Sequence, residues 1–267
     1  MLGAGLLMAT GGGGYDADVQ TYITAVETAD GQSLEIAVKD AINAFVVGCK
    51  NDGILTAIKA SCILAGARTL SGALVPLVGA APTAFNFASG DYSRKNGLTG
   101  NRASLKYLDT NRNNNADPQN SKHLSVYVTA FDSADTNPPF IASGGSSGRS
   151  FIIASNSSGN VRLQTTANNT TSTSTTDVNL TAPSFIGVSR SATSSYTLRR
   201  AGANVTIAQS SATPVNSNIL LFRRAGGTPT EYGAHRVAFY SAGESLDLAL
   251  LDARVTTLIN AIAAAIP

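Results

Sequence analysis

Two short segments of the sequence place paired arginines before a glycine turn, and such pairs can bind anions. The first, LRRAGAN, carries Arg199 and Arg200, and the second, FRRAGGT, carries Arg223 and Arg224. A guanidinium group matches the planar geometry of a carboxylate. If both turns lie at one end of a sheet structure, the four arginines converge and can hold an anionic sugar or a neighbouring subunit. The competing interpretation, solvated charges at strand ends, is the more common outcome.

Sugar binding also favours large aromatic rings, and the chain has no Trp, which counts against such a site. Tyrosines would have to serve instead. Five are available in the second part of the chain: Tyr92, Tyr107, Tyr127, Tyr196 and Tyr232. Tyr196 and Tyr232 complete the predicted ligand-binding set with the four arginines.

The segment DTNRNNNADPQN carries oxygen-bearing side chains at alternate positions, as a calcium loop does. The candidate ligands are Asp109, Asn111, Asn113 and Asp117. Against calcium, Asn114 stands where the loop needs glycine, Asn120 stands where a bidentate Glu is needed, and Arg112 adds positive charge. Asn-rich turns are common because Asn tolerates left-handed backbone conformations. We therefore expect no metal and no other cofactor.

Other catalytic patterns are weak. GGSSG around Ser146 has the spacing of a nucleophile elbow, but that motif needs a following helix, and RSFIIAS is typical of a strand. A hairpin loop is the better interpretation. Glycoside hydrolysis requires two placed carboxylates. Residues 85–240 contain one Glu, Glu231, and six Asp, and no tight acidic pair lies within a single strand, although two carboxylates could still meet in space. His123 and His235, the only histidines, are better explained as satisfied polar residues. We predict that the chain is not an enzyme.

Composition limits the function classes further. The chain has 267 residues, of which 43% are hydrophobic and 13% are charged, with a net charge of +2. A charge this small argues against nucleic-acid binding. The apolar start, MLGAGLLMAT, is too short to span a membrane, so no membrane insertion is expected. Cys49 and Cys62 lie in apolar surroundings, which favours buried free thiols over a disulfide.

Hydrophobic spacing divides the chain into five parts. Residues 1–14 are a flexible apolar and Gly-rich leader, residues 15–66 an N-terminal helical segment, and residues 67–84 a linker. Residues 85–243 are a β-sandwich and residues 244–267 a C-terminal helix. The helical segment contains two or three helices. Asp16 or Asp18 caps the first and Ser33 the second, and a third carries Leu55, Ile58 and Cys62.

Nine short runs with alternating polarity follow one another about every dozen residues, and turn residues separate them. They are HLSVYVTAF, PFIAS, RSFIIAS, VRLQTT, SFIGVSRS, SYTLRRA, NVTIAQ, ILLFRRA and HRVAFYS. Because nothing helical interrupts them, the sheets should be antiparallel and form a sandwich or jelly roll. The Thr-rich segment TTANNTTSTSTTDVNLT is predicted to be a loop that leads into an edge strand.

The last strand runs into a helix with Leu251, Val255, Leu258 and Ile262 on one side. Such a regular apolar stripe should be buried, either on the sandwich or at a contact between subunits.

The segment SNILLFRRAGGTPTEYGAHRVAFYSAGESLDLALLDARV is similar to the final strands and helix of concanavalin A-like, laminin-G-like jelly rolls. Three further segments, DADVQTYITAVE, AINAFVVGCKNDGILTAIKASCILAGART and NRNNNADPQNSKHLSVYV, resemble virion proteins of tailed bacteriophages, such as tail or fibre proteins. The resemblance implies a mainly β fold, an antiparallel concanavalin A-like jelly roll with helices at both ends.

It further implies a non-enzymatic structural protein of the virion, assembled in the host cytoplasm. Its expected partners are other virion proteins, bound through the N-terminal segment, and copies of itself, with a trimer favoured. A lectin-like sandwich could also contact host surface polysaccharide. The alternative is a glycan-binding module or a polysaccharide depolymerase.

Overall fold

In the computed structural model, residues 14–132, 137–157, 160–169, 174–177, 180–225 and 231–267 are described. They form two antiparallel sheets packed face to face, with helices near both ends of the chain. The predicted fold class, mainly β with an antiparallel sandwich, an N-terminal helical segment and a C-terminal helix, is confirmed.

The helices of the described residues are α1 (Ala17–Asp30), α2 (Ile36–Asn51), α3 (Leu70–Ala73) and α4 (Leu248–Ala265). Their strands, in chain order, are β1 (Ile58–Ile63), β2 (Thr83–Phe85), β3 (Tyr92–Ser93), β4 (Gly97–Thr99), β5 (Tyr107–Asn113), β6 (Lys122–Ala130), β7 (Pro139–Ala142), β8 (Arg149–Ser157), β9 (Asn160–Asn169), β10 (Ser174–Asp177), β11 (Ser184–Arg190), β12 (Ser195–Arg200), β13 (Ala203–Ala208), β14 (Asn218–Leu221) and β15 (Arg236–Gly243).

These strands form two sheets, A and B. Sheet A has the order β13-β12-β11-β6-β15-β4-β3, and β1 also pairs with β15. Sheet B has the order β10-β9-β8-β7-β14-β5-β2. All nine predicted runs form strands, and the Thr-rich segment supplies β10, which lies at the edge of sheet B as predicted.

The prediction of a third helix, carrying Leu55, Ile58 and Cys62, is wrong. After Gly53, whose φ of 69° ends the preceding turn, a single 3-10 turn (Leu55–Ala57) leads into β1. In β1, Cys62 lies opposite Tyr240 of β15. Both faces of β1 are buried, since Ile58 packs with the helices and Cys62 packs between the sheets. A short run that is apolar on both faces has no periodicity that distinguishes a strand from a helix.

Helix starts were predicted with mixed success. Asp16 caps α1, as expected, and its side chain accepts a hydrogen bond from the Asp18 amide at 3.1 Å. Ser33, however, does not cap α2, because the chain stays extended to Glu35. The Glu27 carboxylate accepts a hydrogen bond from the Leu34 backbone amide at 2.9 Å, which keeps this part of the chain outside α2.

Helices α1, α2 and α4 pack on the outer face of sheet A. Their apolar side chains join Tyr127, Phe185 and Phe239 of that sheet in one hydrophobic cluster. A second cluster fills the space between the sheets. Cys49 lies in the first cluster and Cys62 in the second, and both are free and buried, as predicted. Burial raises the pKa of each thiol to about 12.

The apolar stripe of α4 is buried within the chain itself. Leu251, Val255, Leu258 and Ile262 are each at most 1% exposed. Two ion pairs fix the helix from its polar side, Arg199–Asp252 and Arg254–Asp52, both at 2.7 Å. By length and composition alone α4 is also the one described helix that could span a membrane.

Candidate functional site

The outer face of sheet B carries aromatic side chains at one edge. Leu108 of β5 points into the space between the sheets, so its neighbours Tyr107 and Asp109 point outward. The edge strand β2 places Phe85 opposite Tyr107. The two rings are stacked with centroids 4.3 Å apart and planes 5° apart. Phe85 is 37% exposed, so this edge of the sheet presents an accessible flat aromatic surface.

A hairpin after β14 brings two more residues to this stack. Arg223 forms an isolated β-bridge with Tyr232, and the Gly233 amide donates to the Phe222 carbonyl at 2.8 Å. Beside them Arg224 forms an ion pair with Glu231, with Nε to Oε2 at 2.8 Å. The Tyr232 ring meets the Tyr107 ring edge-on at 6.1 Å.

We call Phe85, Tyr107, Arg223 and Tyr232 the aromatic–arginine cluster. The guanidinium carbon of Arg223 lies 4.6 Å from the centroid of Tyr107 and 5.2 Å from that of Tyr232. These distances are typical of cation–π contacts. The Nε atom of Arg223 is buried and has no hydrogen-bond partner among the described residues. Arg223 is therefore a half-buried cation held by rings instead of by a carboxylate.

Polar and charged groups border the cluster. Both carboxylate oxygens of Asp109 accept hydrogen bonds from the side-chain amide of Asn218, at 3.1 and 3.0 Å. Further into the face, Arg149 lies over the Phe151 ring at 5.2 Å. Burial, together with the nearby charge of Arg224, lowers the pKa of Arg149 below its usual value. This face therefore combines apolar rings with hydrogen-bonding groups and with charged groups of both signs.

The structure does not bring the four predicted arginines together. Arg199 and Arg200 lie on β12 of sheet A, where Arg199 pairs with Asp252 of α4. Arg223 and Arg224 lie in the hairpin beside sheet B. The two RRAG segments follow strands of different sheets, and within the described residues the two arginine pairs have separate partners.

Of the five tyrosines, Tyr107 and Tyr232 lie in the cluster. Tyr196 is 2% exposed, and its hydroxyl contacts the Thr165 hydroxyl between the sheets at 2.8 Å. Tyr127 is also buried, and Tyr92 donates to the Ala67 carbonyl at 2.8 Å. Phe85 was missed in the sequence, because only its register opposite Tyr107 distinguishes it from other exposed aromatic residues.

The four candidate calcium ligands each have protein partners. Asp109 is held by Asn218, and the Asn113 side chain accepts from the Ser217 amide at 3.1 Å. Asn111 has a left-handed backbone with φ of 54°, and its side chain donates to the Ala81 carbonyl at 2.8 Å. Asp117 pairs with Lys122 at 2.8 Å and with Arg112. In the described part of the chain no three His, Cys, Asp or Glu side chains form a group that could hold a metal ion.

Both histidines are satisfied polar residues, as predicted. His123 contacts the Glu244 carbonyl at 2.6 Å and the Ser241 hydroxyl at 2.9 Å. His235 contacts the Pro138 carbonyl at 3.1 Å and stacks on a phenylalanine. Burial lowers the pKa of each histidine to about 4, so both are neutral at pH 7. Ser146 lies in the connection between the antiparallel strands β7 and β8, which confirms the hairpin interpretation.

No protein-family model and no curated protein matches the chain. Solved structures do. Trypanosoma rangeli sialidase in complex with sialic acid is similar with a TM-score of 0.51 and 11% identity, over 83% of this chain and 38% of that one. The enzymatically active domain of bacteriophage CBA120 tailspike protein 2 has a TM-score of 0.47 and 14% identity, over 68% and 29%. The CBM40 of Ruminococcus gnavus IT-sialidase, bound to α2,3-sialyllactose, has 0.38 and 15%, over 51% and 82%.

At these identities the likeness concerns the fold, a β-sandwich also present in proteins that act on or bind glycans. The chain spans 29% of the tailspike domain and 38% of the sialidase. The prediction that the chain is not an enzyme is contradicted, because its structural neighbours with TM-scores of 0.50 and 0.51 are sialidases. The missing acid pair was no ground for that exclusion. Carboxylates distant in sequence can meet in space, and Asp109 and Glu231 both border the cluster.

Proposed function

We propose that the chain is a glycan-binding β-sandwich of a glycan-processing protein and that it binds sugar at the aromatic–arginine cluster. The observation that carries this proposal is the parallel Phe85–Tyr107 ring stack, with Phe85 exposed, beside a cation. The flat apolar side of a sugar ring can lie on such a surface, while polar groups at its border bind the hydroxyl groups. The helices occupy the outer face of sheet A, whereas the cluster lies on the outer face of sheet B.

A glycan array probed with the full chain tests this proposal, followed by titration of each hit. Replacing the exposed ring by Phe85→Ala should weaken binding by about fivefold or more, since an aromatic contact of this kind is worth about 1 kcal/mol or more. Leu250→Ala is the matched control, because Leu250 of α4 is exposed to a similar extent, 39%, and lies away from the cluster. Absence of glycan binding, or equal binding by Phe85→Ala, would refute the proposal.

Glycan hydrolysis at the same place is the second candidate. Asp109 follows Tyr107 by two positions on β5, and Glu231 precedes Tyr232 in the hairpin. Hydrolysis requires two carboxylates on opposite sides of the bond that is cleaved. Polysaccharides that bind should be incubated with the chain, and new reducing ends measured. Release that disappears in both Asp109→Asn and Glu231→Gln would establish hydrolysis at this place, and absence of release would refute it.

A role in a bacteriophage particle is a finer proposal, supported by the resemblance of several segments to tail and fibre proteins. In that setting the N-terminal segment would contact other virion proteins, and the sandwich would be displayed as a homo-oligomer, with a trimer favoured. Mass spectrometry of purified particles should detect the chain, and sedimentation of the isolated chain should give the mass of a trimer. Absence from the particles would refute the virion role.

A further inference from the structure

The two RRAG segments provide an internal comparison of arginine environments. In the first segment, Arg199 pairs with Asp252 at 2.7 Å. In the second, Arg224 forms an ion pair with Glu231. Arg223 occupies the position equivalent to Arg199, yet its Nε atom is buried and has no hydrogen-bond acceptor within the described residues. Its recorded contacts are with the rings of Tyr107 and Tyr232.

An unpaired cation that is partly desolvated is costly unless another interaction compensates for the lost water. The two rings compensate only in part, because they accept no hydrogen bond from Nε. The two carboxylates that border the cluster already have partners, since Asn218 donates to Asp109 and Arg224 to Glu231. Of the Arg223 nitrogens only Nε is enclosed without a partner, so the terminal nitrogens are the donors that an external acceptor can reach.

A carboxylate is the acceptor that a guanidinium binds best, because two parallel N–H donors match its two oxygens. Arg149 lies on the same face, over the Phe151 ring, and adds a second positive charge near the ion pair of Arg224 and Glu231. Arg223 contacts Tyr107, so its guanidinium lies beside the Phe85–Tyr107 stack.

We infer that the aromatic–arginine cluster binds acidic glycans and that Arg223 binds the sugar carboxylate. This inference rests on the proposed function and names its ligand class, sugars that carry a carboxylate group. Arg223 determines specificity by pairing with the acid, while Phe85 and Tyr107 bind any sugar ring of suitable shape.

The test is an array of carboxylated oligosaccharides, each printed beside its methyl-esterified form and beside a sulfated glycan, probed with the full chain at several salt concentrations. Acidic members should bind at least about tenfold more tightly than their esters, because esterification removes the charge-assisted pair. Arg223→Gln should abolish that preference, and Arg223→Lys should restore little of it, since an ammonium group lacks the paired donors.

Arg200→Gln is the matched control. It removes the same charge from the other RRAG segment, and Arg200 also has a buried Nε without a partner but lies on sheet A. This variant should keep the preference for acidic glycans. Binding of acids and esters with equal affinity would overturn the inference and leave the proposed function intact, as would equal binding of sulfated glycans. Failure to bind any glycan would overturn both.

Discussion

At the scale of single residues, a buried group of charged side chains lies where β6 begins. Lys122 and Asp117 are both fully buried and lie 2.8 Å apart, with Arg112 as a second partner of Asp117. Burial lowers the pKa of Lys122 to about 8. Burial alone would raise the pKa of Asp117, but the two cations outweigh it and hold that pKa below its usual value.

Removing the carboxylate should therefore be costly. Asp117→Asn leaves Lys122 buried without a counter-charge, and we expect a loss of about 3–5 kcal/mol in the free energy of unfolding, measured with urea at pH 7. The double variant Asp117→Asn/Lys122→Met should recover much of this loss, because no buried charge is left unpaired. A double variant as unstable as the single one would show that packing, and not charge, explains the effect.

The two histidines make a pH-dependent contribution. Their pKa is about 4 in the folded chain against an ordinary value of 6.5, so below pH 6.5 the unfolded chain binds more protons. Stability should be fully present above pH 6.5 and decrease as the pH falls to about 4, by about 3 kcal/mol for each histidine. The free energy of unfolding, measured by urea titration at several pH values between 7 and 4, should depend less steeply on pH in His235→Gln than in the parent chain. Equal slopes would contradict the burial of His235.

Several residues of the candidate site could be predicted from the sequence. Arg223, Arg224 and Tyr232 were named because a repeated RRAG segment and the tyrosines are visible in the sequence. Their distribution over two sheets could not be predicted, because β14, which precedes the second RRAG segment, joins its sheet by pairing with β5, more than a hundred residues earlier. Phe85 could not be found, since it becomes notable only when β2 pairs with β5.

At the scale of elements, periodicity predicted α1, α2, α4 and nine strands because each has one face toward a core and one toward solvent or a second layer. It failed at β1, which is buried on both faces. The strand forms there because β15 has an open edge that β1 can pair with. That edge is a property of the assembled sheet, so the segment itself gives no sign of it.

The tail helix α4 offers a direct test of its packing. Leu258 is 1% exposed against α2 and sheet A, so Leu258→Asp forces a carboxylate into an apolar contact within one chain. The variant should lose several kcal/mol of stability and keep its oligomeric state. Leu250→Asp on the exposed side of the same helix should change stability by less than about 1 kcal/mol. Thermal melting and sedimentation measure both properties, and dissociation of a stably folded Leu258→Asp variant would place α4 at a subunit contact instead.

At the scale of the whole molecule, sheet A is shared by two cores. On β6, Tyr127 packs with the helices, while Val126 and Val128 pack between the sheets. On β11, Phe185 and Ile186 divide in the same way. Loss of either core would therefore expose one face of every central strand of sheet A. This arrangement predicts that the helical layer and the sandwich unfold together.

The two cysteines report separately on these cores. Cys49 of α2 lies in the core between the helices and sheet A, and Cys62 lies in the core between the two sheets. Both are buried, so each should react with a thiol reagent only after its own core opens. Labelling across a urea series, with each cysteine quantified by mass spectrometry, should give the same midpoint for both. As a control, Phe45→Ala removes a ring that contacts Phe239 of sheet A and should lower both midpoints equally. If Cys49 reacts at lower urea than Cys62, the helices separate from a sandwich that stays folded, and sheet A does not couple the two cores.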